Sequence, residues 1–203
     1  MPDETSDETG RVREFFSARA AGWDSRFPDD GPVYAAAVGE LRLREGDAVL
    51  DAGCGTGRAL PALRAAVGQR GIVIGADLTP EMLTAAVEAG RQDLARLLLA
   101  DVSRLPLSDG CLHAVFAAGL ISHLPSPASG LRELARVVRP YGTLALFHPV
   151  GRAALAARKG RTLTPDDVRA EPNLRTLLAS SGWQLTSYTD EADRYLALAA
   201  RTP

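Results

Sequence analysis

Only one lysine, Lys159, stands among the 23 basic residues of this 203-residue chain, and cysteine is limited to two positions. Two cysteines do not make a disulfide framework. Cys54 lies inside a glycine-rich segment and Cys111 just ahead of an expected strand, the pattern of a reduced, intracellular chain. No apolar stretch reaches about 18 residues, the length a membrane-spanning helix needs, and Met1–Thr9 is acidic instead of signal-like. The expectation is a soluble, cytoplasmic protein with no membrane partner. A strong charge of either sign is also missing. A formal net charge of −2 leaves no basic field to follow a phosphate backbone, so nucleic acid is not an expected partner. No His/Cys cluster has metal-ligand spacing, which leaves metal-assisted chemistry without support and predicts no metal. What the chain does have is 46% apolar residues, enough for one domain with a sizeable core.

The most informative segment is Val49-Leu50-Asp51-Ala52-Gly53-Cys54-Gly55-Thr56-Gly57-Arg58-Ala59-Leu60. A short apolar run ends in an acid and three alternating glycines, then turns helical. Glycine lacks a Cβ and tolerates positive φ, so such a junction lets backbone approach a ligand closely. A dinucleotide fingerprint needs glycines at positions one, three and six; position six here is Arg58. The spacing suits a zwitterion instead, with loop amides facing a carboxylate and Asp51 near a cationic amino group.

Three further apolar runs end at acids or pocket positions. Ile72–Asp77 reads as a buried strand whose acid lies 22 residues beyond Gly55, followed by a helix with Thr79 as N-cap and Pro80 at N1. Leu97–Val102 reads as a strand closing on Asp101, and Val115–Gly119 as a strand leading to His123-Leu124. Together with LDAGCGTG and the helix–turn–strand of Leu134–Leu144, these segments resemble the class I S-adenosylmethionine-dependent methyltransferases over about residues 12–200, and in particular the small-molecule enzymes of the ubiquinone and menaquinone type. The resemblance implies S-adenosylmethionine as cofactor and S-adenosylhomocysteine as product. It implies a cofactor set of Trp23, Asp51, Gly53, Cys54, Gly55, Thr56, Gly57, Asp77, Leu78, Met82, Asp101, Val102 and Ala118. In that set Asp77 accepts the ribose hydroxyls, Asp101 accepts from the adenine amine, and Trp23 covers the methionine end or staples a lid helix.

Consecutive βα units with apolar strands predict an α/β fold: a Rossmann-like, seven-stranded, mostly parallel sheet with helices on both faces and strand 7 antiparallel. The expected order is a disordered acidic lead-in over residues 1–10, lid helices within 11–45, a cofactor-binding core over 46–148, a short substrate-side insertion over 149–171, and a last helix with two strands over 172–203. Strands are expected near 47–52, 71–77, 96–101, 112–118 and 143–148, then 183–189 and 194–200. Helices are expected near 11–23, 33–41, 57–67, 80–91, 127–138 and 172–181.

Ligands of open α/β sheets sit at the carboxyl ends of the strands, and His123 and His148 fall just past two such ends. They are the candidate catalytic residues: His123, helped by His148, removes a proton, or His123 instead contacts the cofactor or packs the loop. His113, at the far end of its strand, and Tyr141, in place of a turn glycine, are expected to be structural. Arg26 and Arg152 are expected to be solvated. No Asn-Pro-Pro-Tyr-like or Pro-Cys segment follows the fourth strand, which disfavours adenine or glutamine amines and covalent attack on a pyrimidine. The reading is methyl transfer to oxygen or nitrogen of a small-molecule metabolite. Two alternatives stay open, a cofactor-binding module without transferase activity and a macromolecular acceptor, as does a homodimer, since the lid helices could close over their own pocket or swap into a neighbour.

Overall fold

A computed structural model describes residues 4–26 and 30–203. Seven strands form one sheet in the order β3-β2-β1-β4-β5-β7-β6. They are β1 (Ala48–Ala52), β2 (Ile72–Asp77), β3 (Arg96–Leu99), β4 (Leu112–Ala118), β5 (Val138–His148), β6 (Trp183–Glu191) and β7 (Arg194–Arg201). β1 through β5 pair in parallel, and β7 runs antiparallel to both β5 and β6. The chain starts at the sheet centre, winds outward through β2 and β3, then returns to place β4 beside β1. The order therefore reverses between β1 and β4, the point where open α/β sheets bind ligands.

All five residues of β1 are buried, because helices cover both faces of the central strands. The helices are α1 (Glu4–Ala20), α2 (Gly31–Gly39), α3 (Leu60–Val67), α4 (Pro80–Glu88), α5 (Pro127–Val137), α6 (Arg152–Arg158) and α7 (Glu171–Ala179). One core layer packs Tyr34 and Val38 of α2 and Leu60, Leu63 and Val67 of α3 against Val49, Phe116 and Phe147. The other packs Leu131 and Leu134 of α5 and Leu174 and Leu178 of α7 against Leu50, Val115, Leu144 and Trp183. Trp183 is fully enclosed and donates its indole N–H to the Leu131 carbonyl at 2.9 Å, so its one polar atom is satisfied. No described helix is long and apolar enough to cross a membrane.

Several boundaries differ from the sequence expectation. α1 begins at Glu4, so much of the stretch expected as a disordered lead-in is helical; Asp7 and Arg11 pair at 2.8 Å one turn apart, a spacing that supports a helix. Met1–Asp3 lie outside the described residues, as do residues 27–29 of the expected break after α1. α3 begins at Leu60 and not near 57, because Gly57 takes φ +83, which no α-helix admits. β5 begins at Val138 and not near 143: a bulge shifts its register with β4 between Leu112 and Ala114, with Tyr141 at φ 64 absorbing the turn. The 149–171 insertion carries one helix, α6.

Candidate active site

The loop after β1 folds down onto the end of β2. Gly53, Gly55 and Gly57 all have positive φ, and a Cβ on Gly53 would meet Leu120 Cδ1 at 2.9 Å. The glycines thus let the β1 and β4 loops touch at the reversal point. The glycine amides themselves turn inward. Gly53 and Cys54 donate to the Ala76 carbonyl at 2.8 and 2.9 Å, Gly55 to Asp77 Oδ2 at 2.8 Å, and Gly57 to the Cys54 carbonyl at 2.8 Å. A buried loop must satisfy its own backbone donors, and the carboxyl end of β2 together with the Cys54 carbonyl supplies the acceptors. The Cys54 side chain also turns inward, towards Gly75 of β2, where burial pushes its thiol well up.

Asp51 is the anomaly of the site. It is buried to 1% exposure, and neither carboxylate oxygen has a hydrogen-bond partner among the described residues. Burial, then the charge of Asp77, push its carboxyl up to about 8. An unpartnered buried carboxylate is costly unless a cation joins it, so the position fits a ligand ammonium group. Asp77 is nearly as buried, and burial also raises its carboxyl, but it accepts from Gly55 N and from Thr79 N at 2.8 Å each. The Thr79 hydroxyl and the Leu78 amide also bond to it, and these hydrogen bonds work against the rise. Thr79 occupies the N-cap position of α4 without a capping side-chain bond.

Around these acids lie the other expected cofactor residues. Thr56 and Met82 are buried, and Met82 Sδ comes within 3.9 Å of a Cβ built on Gly55. Leu78 follows Asp77 half-buried, and Ala118 ends β4 half-buried. Asp101 accepts from Ser103 N at 2.8 Å and Ser103 Oγ at 2.6 Å, beside buried Val102. The N-terminal segment latches onto the loop through Asp24, which accepts from Thr56 Oγ1 at 2.6 Å and from Arg91 Nη1 at 2.7 Å. Trp23 packs on Phe16 of α1 at 5.8 Å between ring centroids, a contact of the stapling kind.

A small, mostly apolar cleft of about 10 Å³, room for a single water, lies at the ends of β4 and β5. Ala117, Leu120, Leu146 and Phe147 form its walls, and His148, Arg169 and Tyr195 bring its polar groups. His148 closes β5 with Nδ1 held by the Val150 backbone, 2.8 Å from the carbonyl and 3.1 Å from the amide. Burial first, then the cations Arg169 and Lys159, lower its pKa to about 4. His123 stands one residue beyond the cleft-lining Ser122, edge-on to Phe16 at 5.0 Å and stacked with Phe15 at 6.5 Å. Burial and the same two cations lower its pKa as well. Both rings are therefore neutral at pH 7.

His113 is structural as expected: its Nδ1 accepts from Ala48 N at 3.0 Å and its Nε2 lies 3.3 Å from Asp47. Arg152 is not solvated but half-buried in an ion network with Asp167 at 3.0 Å and Asp190 at 3.3 Å, because the start of α6 is tied to the β6–β7 hairpin by the bond from Arg152 N to Asp190 Oδ1 at 2.8 Å. The cleft residues that sequence reasoning missed are Arg169 and Tyr195. Tyr195 stands directly across the β5–β7 ladder from His148, so the antiparallel register, once known, would have revealed it.

Residues 50–146 match the family model described as a methyltransferase domain. The chain is 36% identical over 113 residues to 27-O-demethylrifamycin SV methyltransferase of Amycolatopsis mediterranei (strain S699), covering 54% of this chain and 41% of that protein. It is 32% identical over 145 residues to malonyl-[acyl-carrier protein] O-methyltransferase of Serratia marcescens, covering 71% and 54%. A crystal structure of a SAM-dependent methyltransferase from Aquifex aeolicus superposes with a TM-score of 0.71 at 25% identity, covering 88% of this chain and 96% of that one. The chain spans about a third to a half of the length of the curated relatives it matches. Sequence motifs, sheet order and these similarities agree, and the chain belongs to the class I S-adenosylmethionine-dependent methyltransferases.

Proposed function

We propose that the protein transfers a methyl group to an oxygen or nitrogen of a small-molecule metabolite. The observation that carries this reading is the unpartnered, buried Asp51 carboxylate, set at the reversal point of the sheet. When bound, S-adenosylmethionine supplies a methyl group on a sulfonium that needs no further activation. Asp51 binds the ammonium of the cofactor's amino-acid end, Asp77 the ribose hydroxyls, and Asp101 with Val102 the adenine. Gly53, Gly55 and Gly57 let the loop lie close, with Cys54, Thr56, Leu78, Met82 and Ala118 shaping the walls. Trp23, held on Phe16, keeps the lid segment over the site. The protein's main task is alignment, which contributes about 7–11 kcal/mol in well-oriented reactions.

Where the acceptor atom carries a proton, a ring nitrogen of His123 removes it. His148, at about 4, is too weak a base for work near neutral pH and serves better as a hydrogen-bonding neighbour. The net charge of −2 supports a small acceptor over nucleic acid. The test is formation of S-adenosylhomocysteine with a panel of hydroxylated and aminated small molecules, by wild type and His123→Ala. Turnover that depends on acceptor and falls in the variant supports the proposal. Cofactor binding with no product from any acceptor would favour a binding module instead.

A further inference from the structure

Tyr195 is enclosed to 1% exposure, and its hydroxyl has no hydrogen-bond partner among the described residues. Its ring is fixed from two sides: the β5–β7 ladder sets it opposite His148, and Tyr188 meets it edge-on at 5.7 Å. Tyr195, His148 and Arg169 all line the cavity of about 10 Å³ at the ends of β4 and β5. A bound water needs about that much room and two to four polar partners, and three polar side chains meet here. Of the other lining side chains only that of Ser122 is polar, and it is exposed.

The His148 ring has one nitrogen left for this cavity. Its Nδ1 is held by Val150, 2.8 Å from the carbonyl and 3.1 Å from the amide. Either neutral tautomer therefore finds a Val150 partner without moving the ring. The choice falls to Nε2, on the ring edge beside the lining residue Gly119, where a built Cβ would lie 4.0 Å from His148 Cδ2. Arg169 can only donate, and the Tyr195 hydroxyl has one proton to give. Asp167 compensates the Arg169 charge at 3.3 Å, so the guanidinium counts here as a donor. A water that accepts from these groups has its own protons left for the Nε2 lone pair. Nδ1 then carries the ring proton and donates to the nearer of its two partners, the Val150 carbonyl. The ring is neutral at pH 7, with its pKa at about 4, so a tautomer is selected and not a charge.

We infer that one bound water joins the Tyr195 hydroxyl to His148 Nε2 and holds the ring in its Nδ1–H tautomer, which makes Tyr195 a positioning residue for His148. The water and the tautomer stand on this geometry alone. Their use, fixing His148 as the neighbour of an acceptor, rests on the functional reading above.

The test compares wild type with Tyr195→Phe in the intact chain. Proton–nitrogen NMR of the His148 ring at pH 7 reads the tautomer, a crystal structure reads the cavity, and thermal unfolding reads Tm. Wild type should show a protonated Nδ1, an unprotonated Nε2, and one ordered water in hydrogen-bond reach of Tyr195 Oη and His148 Nε2. In Tyr195→Phe the ratio of Nδ1–H to Nε2–H should fall about threefold or more, the scale of one net hydrogen bond. Its Tm should fall as well, because a satisfied hydroxyl is lost; removing an orphaned one would leave Tm level or raise it. A dry cavity, a water bonded to only one of the two side chains, an Nε2–H tautomer in wild type, or a variant whose Tm or tautomer ratio is unchanged would overturn the inference. Failure of the functional reading shows elsewhere, as no S-adenosylhomocysteine formed by wild type with any acceptor, so the two are told apart.

Discussion

Asp51→Asn removes a charge and keeps a shape, so it isolates what the buried carboxylate does. With Asp51 at about 8, ionising it at pH 7 costs about 1.4 kcal/mol, one pKa unit, and roughly one molecule in ten carries the charge. A ligand ammonium that requires the ionised form must expel that proton. Affinity for S-adenosylhomocysteine should therefore rise about tenfold per pH unit between about 5.5 and 7.5, with close to one proton released per molecule bound. An α-amino group titrates at about 7.7–8.0, so the ligand keeps its charge across that window. In Asp51→Asn the ammonium is buried without its counter-charge, a loss of roughly 2–5 kcal/mol, offset by the ~1.4 kcal/mol no longer needed for ionisation. The net loss at pH 7 is about 0.6–3.6 kcal/mol, roughly 3- to 400-fold in Kd, and the variant's pH profile is flat below 7.5. Calorimetry in two buffers of different ionisation enthalpy reads affinity and proton release together. Parallel pH profiles for the two proteins, or no proton release by wild type at pH 6, would refute the reasoning. The same proton sets a stability trend. The folded carboxyl titrates above its unfolded value, so its contribution is full below about pH 4 and is lost as pH rises through about 8; Asp51→Asn should lessen that loss.

Other substitutions test neighbouring parts. Gly53→Ala forces a Cβ into a φ of +68 and 2.9 Å from Leu120, so urea denaturation should show a loss of about 1–3 kcal/mol; an unchanged midpoint would mean the loop is not packed on the β4 segment. Asp24→Ala removes the bonds to Thr56 and Arg91. Limited proteolysis should then cut the N-terminal segment faster, and equal cutting rates would show that Asp24 is no latch. His123→Ala should lower kcat with a protonated acceptor by about 10²–10⁴ while cofactor Kd stays put, and unchanged turnover would remove His123 as the base.

The parts of this protein legible in its sequence are those where one local rule acts alone. Buried parallel strands leave unbroken apolar runs, so β1, β2 and β4 were placed to within a residue, and the glycines declare their positive φ by type. What escaped depends on pairing between distant segments. The partners of the Gly53, Cys54 and Gly55 amides lie on β2. The start of β5 depends on a bulge against β4. Arg169 is one arginine among many, distinguished only by Asp167 and the Tyr188 hydroxyl that fix it, and Tyr195 reaches the cleft only through the ladder that sets it opposite His148.

The central claim is that Asp51 and Asp77 build a site for S-adenosylmethionine. Calorimetric titration of S-adenosylhomocysteine into wild type and Asp77→Ala tests it most directly, with each protein's Tm read alongside because Asp77 also holds the Gly55 and Thr79 amides. The account predicts one site in the wild type and affinity at least tenfold weaker in a folded variant. A well-folded wild type that does not bind, or a variant that binds equally well, would contradict it.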